Sequence, residues 1–252
     1  MTPPPRIAFF RPDDERSAQA RELLRERGFE PVGDPMLAVE PTGASPRQDG
    51  DFTILTSRTG VRIIENPVAQ LAGTRVCAIG HATANVLEEA GVTVDIVPDE
   101  FTSDGLVDRL RDHVAGKRVE IARSDHGSER LIGGLIDAGA YVHETILYEL
   151  VRPEGSGASV DLLLEGSLDA LLFTSSLTVE HFLEAADERA GSNDIREYLD
   201  DVTVGAIGPP TRDTALARDI PVDVMASRAS FETLVDEVIA AMESDDPTTA
   251  VY

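Results

Sequence analysis

FTILTSRTGV (Phe52–Val61) returns as ALLFTSSLTV (Ala170–Val179), and that recurrence does not stand alone. RIAFFRPDD (Arg6–Asp14) matches RVEIARSDH (Arg118–His126). VCAIGHAT (Val76–Thr83) matches VGAIGPPT (Val204–Thr211), and this third match holds without a gap through SDGLVDRL (Ser103–Leu110) and FETLVDEV (Phe231–Val238). Offsets that hold through the blocks and grow at the loops between them are what duplication with loop insertions leaves behind. One such match could arise by chance; three in the same order point to two copies of one unit.

Each copy reads as alternating strands and helices. RIAFF, FTILT, RVCAI, RVEIA, ALLFT and VTVGAI are short apolar, partly β-branched runs suited to buried strands. A helical pattern follows each. Ser57 precedes Val61 and Ile64, Ser175 precedes Val179, Phe182 and Leu183, and Thr102 precedes Leu106, Leu110 and Val114, with Asp104 in that first turn. Gly28, Gly91 and Gly139 fall where helices end. Such alternation predicts an α/β fold with parallel sheets.

The boundary between copies has two solutions. The plain one is two consecutive domains, near 1–115 and 116–252. The other starts from Glu30–Glu40 and Tyr141–Arg152, extended segments at equivalent places and long enough to pair. If they form a two-stranded connector, the N-terminal strand and helix join the sheet of the C-terminal third. The sequence pattern leaves both open.

The chain has 252 residues, enough for one large or two small domains, and 42 % of them are apolar, so it can bury a core. No apolar run reaches the ~20 residues of a membrane-spanning helix. The start, MTPPPRIAFF, lacks the basic and apolar regions of a secretion signal, so a cytoplasmic protein is expected. Lys plus Arg is 22 against 46 for Asp plus Glu, a net charge of −24, and Lys117 is the sole lysine. Such a chain repels phosphate backbones, which argues against nucleic-acid binding. The acidity reads as adaptation to salt, where a Debye length of ~3 Å at 1 M screens the carboxylates from one another. The acidic end, ESDDPTTAVY, is expected to be frayed and solvated.

Conventional catalytic motifs do not emerge. His81, His113, His126, His143 and His181 lack zinc-ligand spacing, Cys77 has no second cysteine, and neither GxxxxGK[ST] nor GxGxxG occurs. Arg11 and Arg123 are equivalents at the carboxyl ends of strands, where open α/β sheets place ligands. Arg58 and Arg212 sit at the other strand–helix turns. Ser57, Ser175, Thr83 and Thr211 occupy equivalent turns as helix caps, as ligand contacts, or as both.

Taken together, TSRTGV, AIGHATANVLEEAG, EFTSDGLVDRL, ARSDHGSERLIGGLIDAGAYVHETILYEL, FTSSLTV and AIGPPT resemble the uroporphyrinogen-III synthase family, in its order, from about Arg6 to Met242. The resemblance implies two similar parallel-sheet α/β lobes joined by a two-stranded β connector, with an active-site cleft between them. One lobe would be 1–33 plus 153–252, the other 48–140, with 34–47 and 141–152 as connector strands. It implies an enzyme that cyclises hydroxymethylbilane to uroporphyrinogen III, inverting ring D and losing water, as a monomer, with no cofactor and no metal. Tyr148 in ETILYEL matches the tyrosine proposed in the family to hydrogen-bond the departing hydroxyl as general acid. Thr83 and Thr211 match cleft-facing threonines, and Arg11, Ser57, Arg58, Arg123 and Ser175 are placed to meet the eight substrate carboxylates. Pro210 and Arg212 depart from the family pattern. The rival reading is a non-enzymatic two-lobed protein that clamps a small anion through the same helix starts.

Overall fold

The computed structural model describes residues 3–12, 14–191 and 194–245. The last seven residues of the acidic end lie outside them. The strands among the described residues are β1 (Arg6–Phe9), β2 (Glu30–Gly33), β3 (Ala38–Pro41), β4 (Phe52–Leu55), β5 (Arg75–Ala78), β6 (Arg118–Ser124), β7 (Tyr141–Val151), β8 (Ala170–Phe173), β9 (Thr203–Ala206) and β10 (Val224–Met225). The α-helices are α1 (Glu15–Glu26), α2 (Arg58–Ile63), α3 (Pro67–Gln70), α4 (His81–Glu89), α5 (Ser103–Leu110), α6 (Glu129–Asp137), α7 (Ala158–Leu164), α8 (Ser176–Arg189), α9 (Pro209–Ala217) and α10 (Phe231–Asp245). They form two compact units, one taking the chain up to Ala38 and again from Val151, the other Val39–Leu150.

The first unit's sheet has the order β10-β9-β8-β1-β2, and every pairing is parallel. Ile7, Ala8 and Phe9 lie against Ala170, Leu171 and Leu172. The N-terminal strand therefore belongs to the sheet of the C-terminal third. β1 and β8 are fully buried from Ile7 and Ala170 onward because the sheet is covered on both faces. Ala8, Leu171, Phe173, Val179 and Phe182 pack on one side. Ile7, Phe9, Leu172, Leu234 and Val238 pack on the other.

The second unit repeats that plan in the order β3-β7-β6-β4-β5, with β4–β5, β4–β6 and β6–β7 parallel. An isolated parallel bridge from Cys77 to Ile96 stands where β10 stands in the first unit. The duplication reaches single hydrogen bonds. Asp51 accepts the Arg118 amide at 2.9 Å as Asp169 accepts the Arg6 amide at 2.6 Å. Asp95 accepts from Val76 at 2.7 Å as Asp223 accepts from Val204 at 2.8 Å.

Local signals place most helix ends. Ser57, Thr102 and Ser175 cap α2, α5 and α8. Gly28, Gly91 and Gly139 take φ of +88°, +82° and +85° as helices turn out, a region that favours glycine. Two expectations differ. Thr83 and Thr211 are not caps; Gly80 and Gly208 hold those positions, without a side-chain bond, and the threonines lie buried inside the first turn. Glu30–Glu40 does not pair as one strand with Tyr141–Arg152. Asp34 and Pro35 break it after Gly33, so Glu30–Gly33 runs parallel to β1 and only β3 lies beside β7. β7 is itself a full member of the second sheet, parallel to β6 from Tyr141 to Tyr148.

Candidate active site

In both sheets the candidate residues collect at the carboxyl ends of the strands, as expected for ligand sites on open α/β sheets. In the second unit the centre is Tyr148. Opposite β7, Arg123 faces Ile146 but the next residue, Ser124, faces Tyr148, so Leu147 is an extra residue, a bulge. On a regular strand Leu147 and Tyr148 would point to opposite faces. Here both pack into one buried cluster with Leu55, Val61 and Ala122. The bulge thus turns Tyr148 onto the face that α2 covers, and its hydroxyl lies 2.9 Å from Ser57 Oγ. Ser57 Oγ also accepts the Gly60 amide at 2.9 Å. A Cβ at Gly60 would stand 3.3 Å from that oxygen and 3.4 Å from Leu147 Cδ1, so glycine lets the three close up.

Around this pair, α4 begins at Gly80 with no side chain taking up its first amides. The His81 ring meets Phe101 edge-on at 4.9 Å, and Phe101, 55 % exposed, packs over Gly80. Arg58 opens α2, exposed and without an ion pair among the described residues. Arg123 differs from the sequence expectation. Its side chain is 2 % exposed, bonded to Glu144 and, at 2.8 Å, to Glu129. Burial alone would lower its pKa, but these two carboxylates outweigh it and hold the guanidinium above its ordinary value. Its neighbour is Gly127, where any Cβ would collide with it, so Arg123 anchors the turn before α6 and turns no donor outward.

The first unit has its own edge. Arg11 follows β1, its guanidinium 4.2 Å above the Phe231 ring at the start of α10. Burial, then repulsion from Arg16, lowers its pKa, and no carboxylate pairs with it among the described residues. Ser175 forms a reciprocal capping box with Thr178, in which its Oγ accepts the Thr178 amide at 3.2 Å and its own O–H remains to donate. Thr211 sits in the first turn of α9, whose opening residues, Pro209 and Pro210, have no N–H to offer. Arg212 is drawn to Asp213 at 2.6 Å.

Most other arginines are held by acids, as in Arg6–Glu30, Arg27–Asp236 and Arg218–Glu180. Among the described residues Arg11 and Arg58 have no such partner, a condition they share with Arg21, Arg62 and Arg75; what sets them apart is their place at the carboxyl ends of strands, where they can take anionic groups. Cys77 is no nucleophile, since burial pushes its thiol up to about 12. Among the described residues no group of three His, Cys, Asp or Glu could hold a metal, and no helix is long and apolar enough to cross a membrane. A cavity of about 190 Å³ lies at the opposite, amino ends of β4, β6 and β7, beside the Glu120–His143 pair, far from the ligand edge. Sequence reasoning missed Gly60, Phe101 and Phe231. Their importance comes from contacts between segments far apart in the chain, which no local pattern of the sequence signals.

Comparison with known proteins joins this geometry to a lineage. The family model described as uroporphyrinogen-III synthase HemD matches residues 18–236. A relative in Methanothermobacter thermautotrophicus is 34 % identical over 221 residues, 81 % of this chain and 86 % of that protein. The uroporphyrinogen-III synthase of Synechococcus elongatus is 31 % identical over 195 residues, 74 % of each. A solved uroporphyrinogen III synthase from Thermus thermophilus matches with a TM-score of 0.65 at 21 % identity, over 96 % of this chain and 100 % of that one. The one from Helicobacter pylori gives 0.61 at 14 %, over 94 % and 99 %. At such identities the solved structures speak for the fold.

Proposed function

The chain belongs to the uroporphyrinogen-III synthase family, and from that premise we propose that Tyr148 is the general acid with which it closes hydroxymethylbilane into uroporphyrinogen III. The observation that supports this is the Leu147 bulge, which turns a strand tyrosine onto Ser57 at the ligand edge. Bulges that re-aim a side chain beside active sites are common. A phenol O–H held within reach of the departing oxygen can serve as its general acid.

The chemistry asks little else of an acid. Electron push from the terminal pyrrole breaks the C–O bond of the hydroxymethyl group. Tyr148's proton joins the leaving oxygen as water, and the proton lost by the pyrrole nitrogen balances the one given. The azafulvene so formed is a strong electrophile, and no protein nucleophile is needed. What remains for the chain is to hold the rings so that attack forms the spiro intermediate rather than the unaided ring. We assign the substrate carboxylates to Arg11, Arg58, Ser175, Thr83 and Thr211, with the open amides at the start of α4. The test is a coupled assay that supplies hydroxymethylbilane and separates type III from type I product. Type I product alone would overturn the assignment.

The two threonine turns are unequal. At α4 the His81 and Ala82 amides remain as donors, whereas α9 opens on two prolines. Thr83→Ala is expected to cost turnover about threefold or less, since amides take over. Thr211→Ala is expected to raise KM more, by about tenfold or above, the worth of one hydrogen bond to a charged group. Steady-state kinetics of both variants decides; equal effects would overturn the ranking.

The finer reading is of a cytoplasmic monomer adapted to salt, and the net charge of −24 supports the salt adaptation. The ion pairs are largely exposed and each contributes ~0–1 kcal/mol, too little to offset repulsion among the remaining carboxylates. Molar KCl is expected to raise Tm by on the order of 10 °C, as several kcal/mol would in a chain this long. Thermal melts across KCl check it; an unchanged Tm would give the acidity another purpose.

A further inference from the structure

Within the second unit, three groups stand in line: the Gly60 amide, Ser57 Oγ 2.9 Å from it, and Tyr148 Oη 2.9 Å further on. The donor inventory fixes most of what they can do. An amide N–H only donates, so one lone pair of Ser57 Oγ is taken. Between Ser57 and Tyr148 either hydroxyl can donate. If Tyr148 donates, its proton is spent on Ser57 and none faces a substrate. If Ser57 donates, the phenolic proton is free.

Resting on the reading of Tyr148 as the acid, we propose that Ser57 is a positioning residue for it, rather than a substrate contact. Ser57 donates to the phenolic oxygen, aims the phenol's own proton outward, and holds the phenolate that proton transfer leaves. In that step the Tyr148 O–H bond breaks as its proton joins the departing hydroxyl, and the electron pair stays on the phenolic oxygen. The Ser57 bond then becomes charge-assisted, about twice as strong as the neutral one. Its strengthening belongs to the transition state, so it raises kcat rather than lowering KM. The Gly60 amide polarises the serine in the same direction. Gly60 keeps the line closed by lacking a Cβ, which would press to 3.3 Å from Ser57 Oγ.

Ser57 also caps α2, so the experiment must separate capping from positioning. The substitutions Ser57→Ala, Ser57→Gly and Ser57→Thr are made with Tyr148 present and again in Tyr148→Phe, with kcat, KM and Tm measured for each. Glycine is tolerated as a cap but brings no hydroxyl, while threonine brings both. Ser57→Ala and Ser57→Gly are expected to lose about tenfold in kcat with KM nearly unchanged, one charge-assisted bond. Ser57→Thr is expected to restore kcat. In the Tyr148→Phe background, Ser57→Ala is expected to change kcat by less than about twofold, because residues acting as a unit are not additive. Equal losses in both backgrounds, or a raised KM at unchanged kcat, would overturn the inference while leaving Tyr148's role intact. Full activity of Tyr148→Phe alone would remove the reading on which the inference rests.

Discussion

Tyr148→Phe is expected to slow formation of the type III product tenfold to a thousandfold while leaving the protein folded. General acids typically contribute ~10²–10⁴-fold, and less than this is expected here because the pyrrole already expels the hydroxyl. The ring keeps its place among Leu55, Val61, Ala122 and Leu147. Only the bond to Ser57 is lost, and Ser57 still holds the Gly60 amide. Folding stability should therefore fall by about 1 kcal/mol at most. The rate of type III formation, with spontaneous type I product subtracted, is the measurement, taken beside a thermal melt. A normal rate would make Tyr148 a core tyrosine whose hydroxyl merely satisfies Ser57, and catalysis would then rest on positioning at the strand ends.

That tyrosine was singled out by the family resemblance alone, and its surroundings were not legible; what the residues themselves disclose is a matter of range. Strand runs such as FTIL and ALLF, and caps such as Ser57 and Ser175, announce themselves within four residues because their causes are local: apolar burial and one side-chain-to-amide bond. The repeated blocks then supply topology, since two copies of one pattern fold alike. The bulge at Leu147 has no such local cause. It is defined only by the register against β6, where Arg123 faces Ile146 and Ser124 faces Tyr148, and nothing in ETILYEL records that. Arg123 shows the same limit. Its place at a strand end favours a ligand role, but Glu144 and Glu129 reach it from β7 and α6, and two carboxylates on one guanidinium leave it buried. The break after Gly33 was legible in principle, because Pro35 cannot continue a ladder; the length of the extended run hid it.

Asp34 is the largest feature that the sequence conceals. It sits just past β2, 2 % exposed, and holds the start of α7 from more than a hundred residues away. Its Oδ1 accepts the Gly157 amide at 2.9 Å; its Oδ2 accepts the Ser159 amide at 2.9 Å and the Ser159 hydroxyl at 2.5 Å. Ser159 itself is fully buried. Asp34→Ala therefore strands two amides and a hydroxyl, at ~1–3 kcal/mol for each unmet buried donor. The expected loss is about 3–5 kcal/mol, much of the 5–15 kcal/mol that typically separates folded from unfolded chains. Asp34→Asn is the sharper variant. It preserves shape, but either orientation of the amide points its NH₂ group at a donor, so asparagine should rescue little, about 1 kcal/mol. Urea unfolding of both variants in the same molar salt gives the comparison. If asparagine restored the parent midpoint, one carboxylate oxygen would be idle, and α7 would be held by its own packing through Val160 and Leu163 instead.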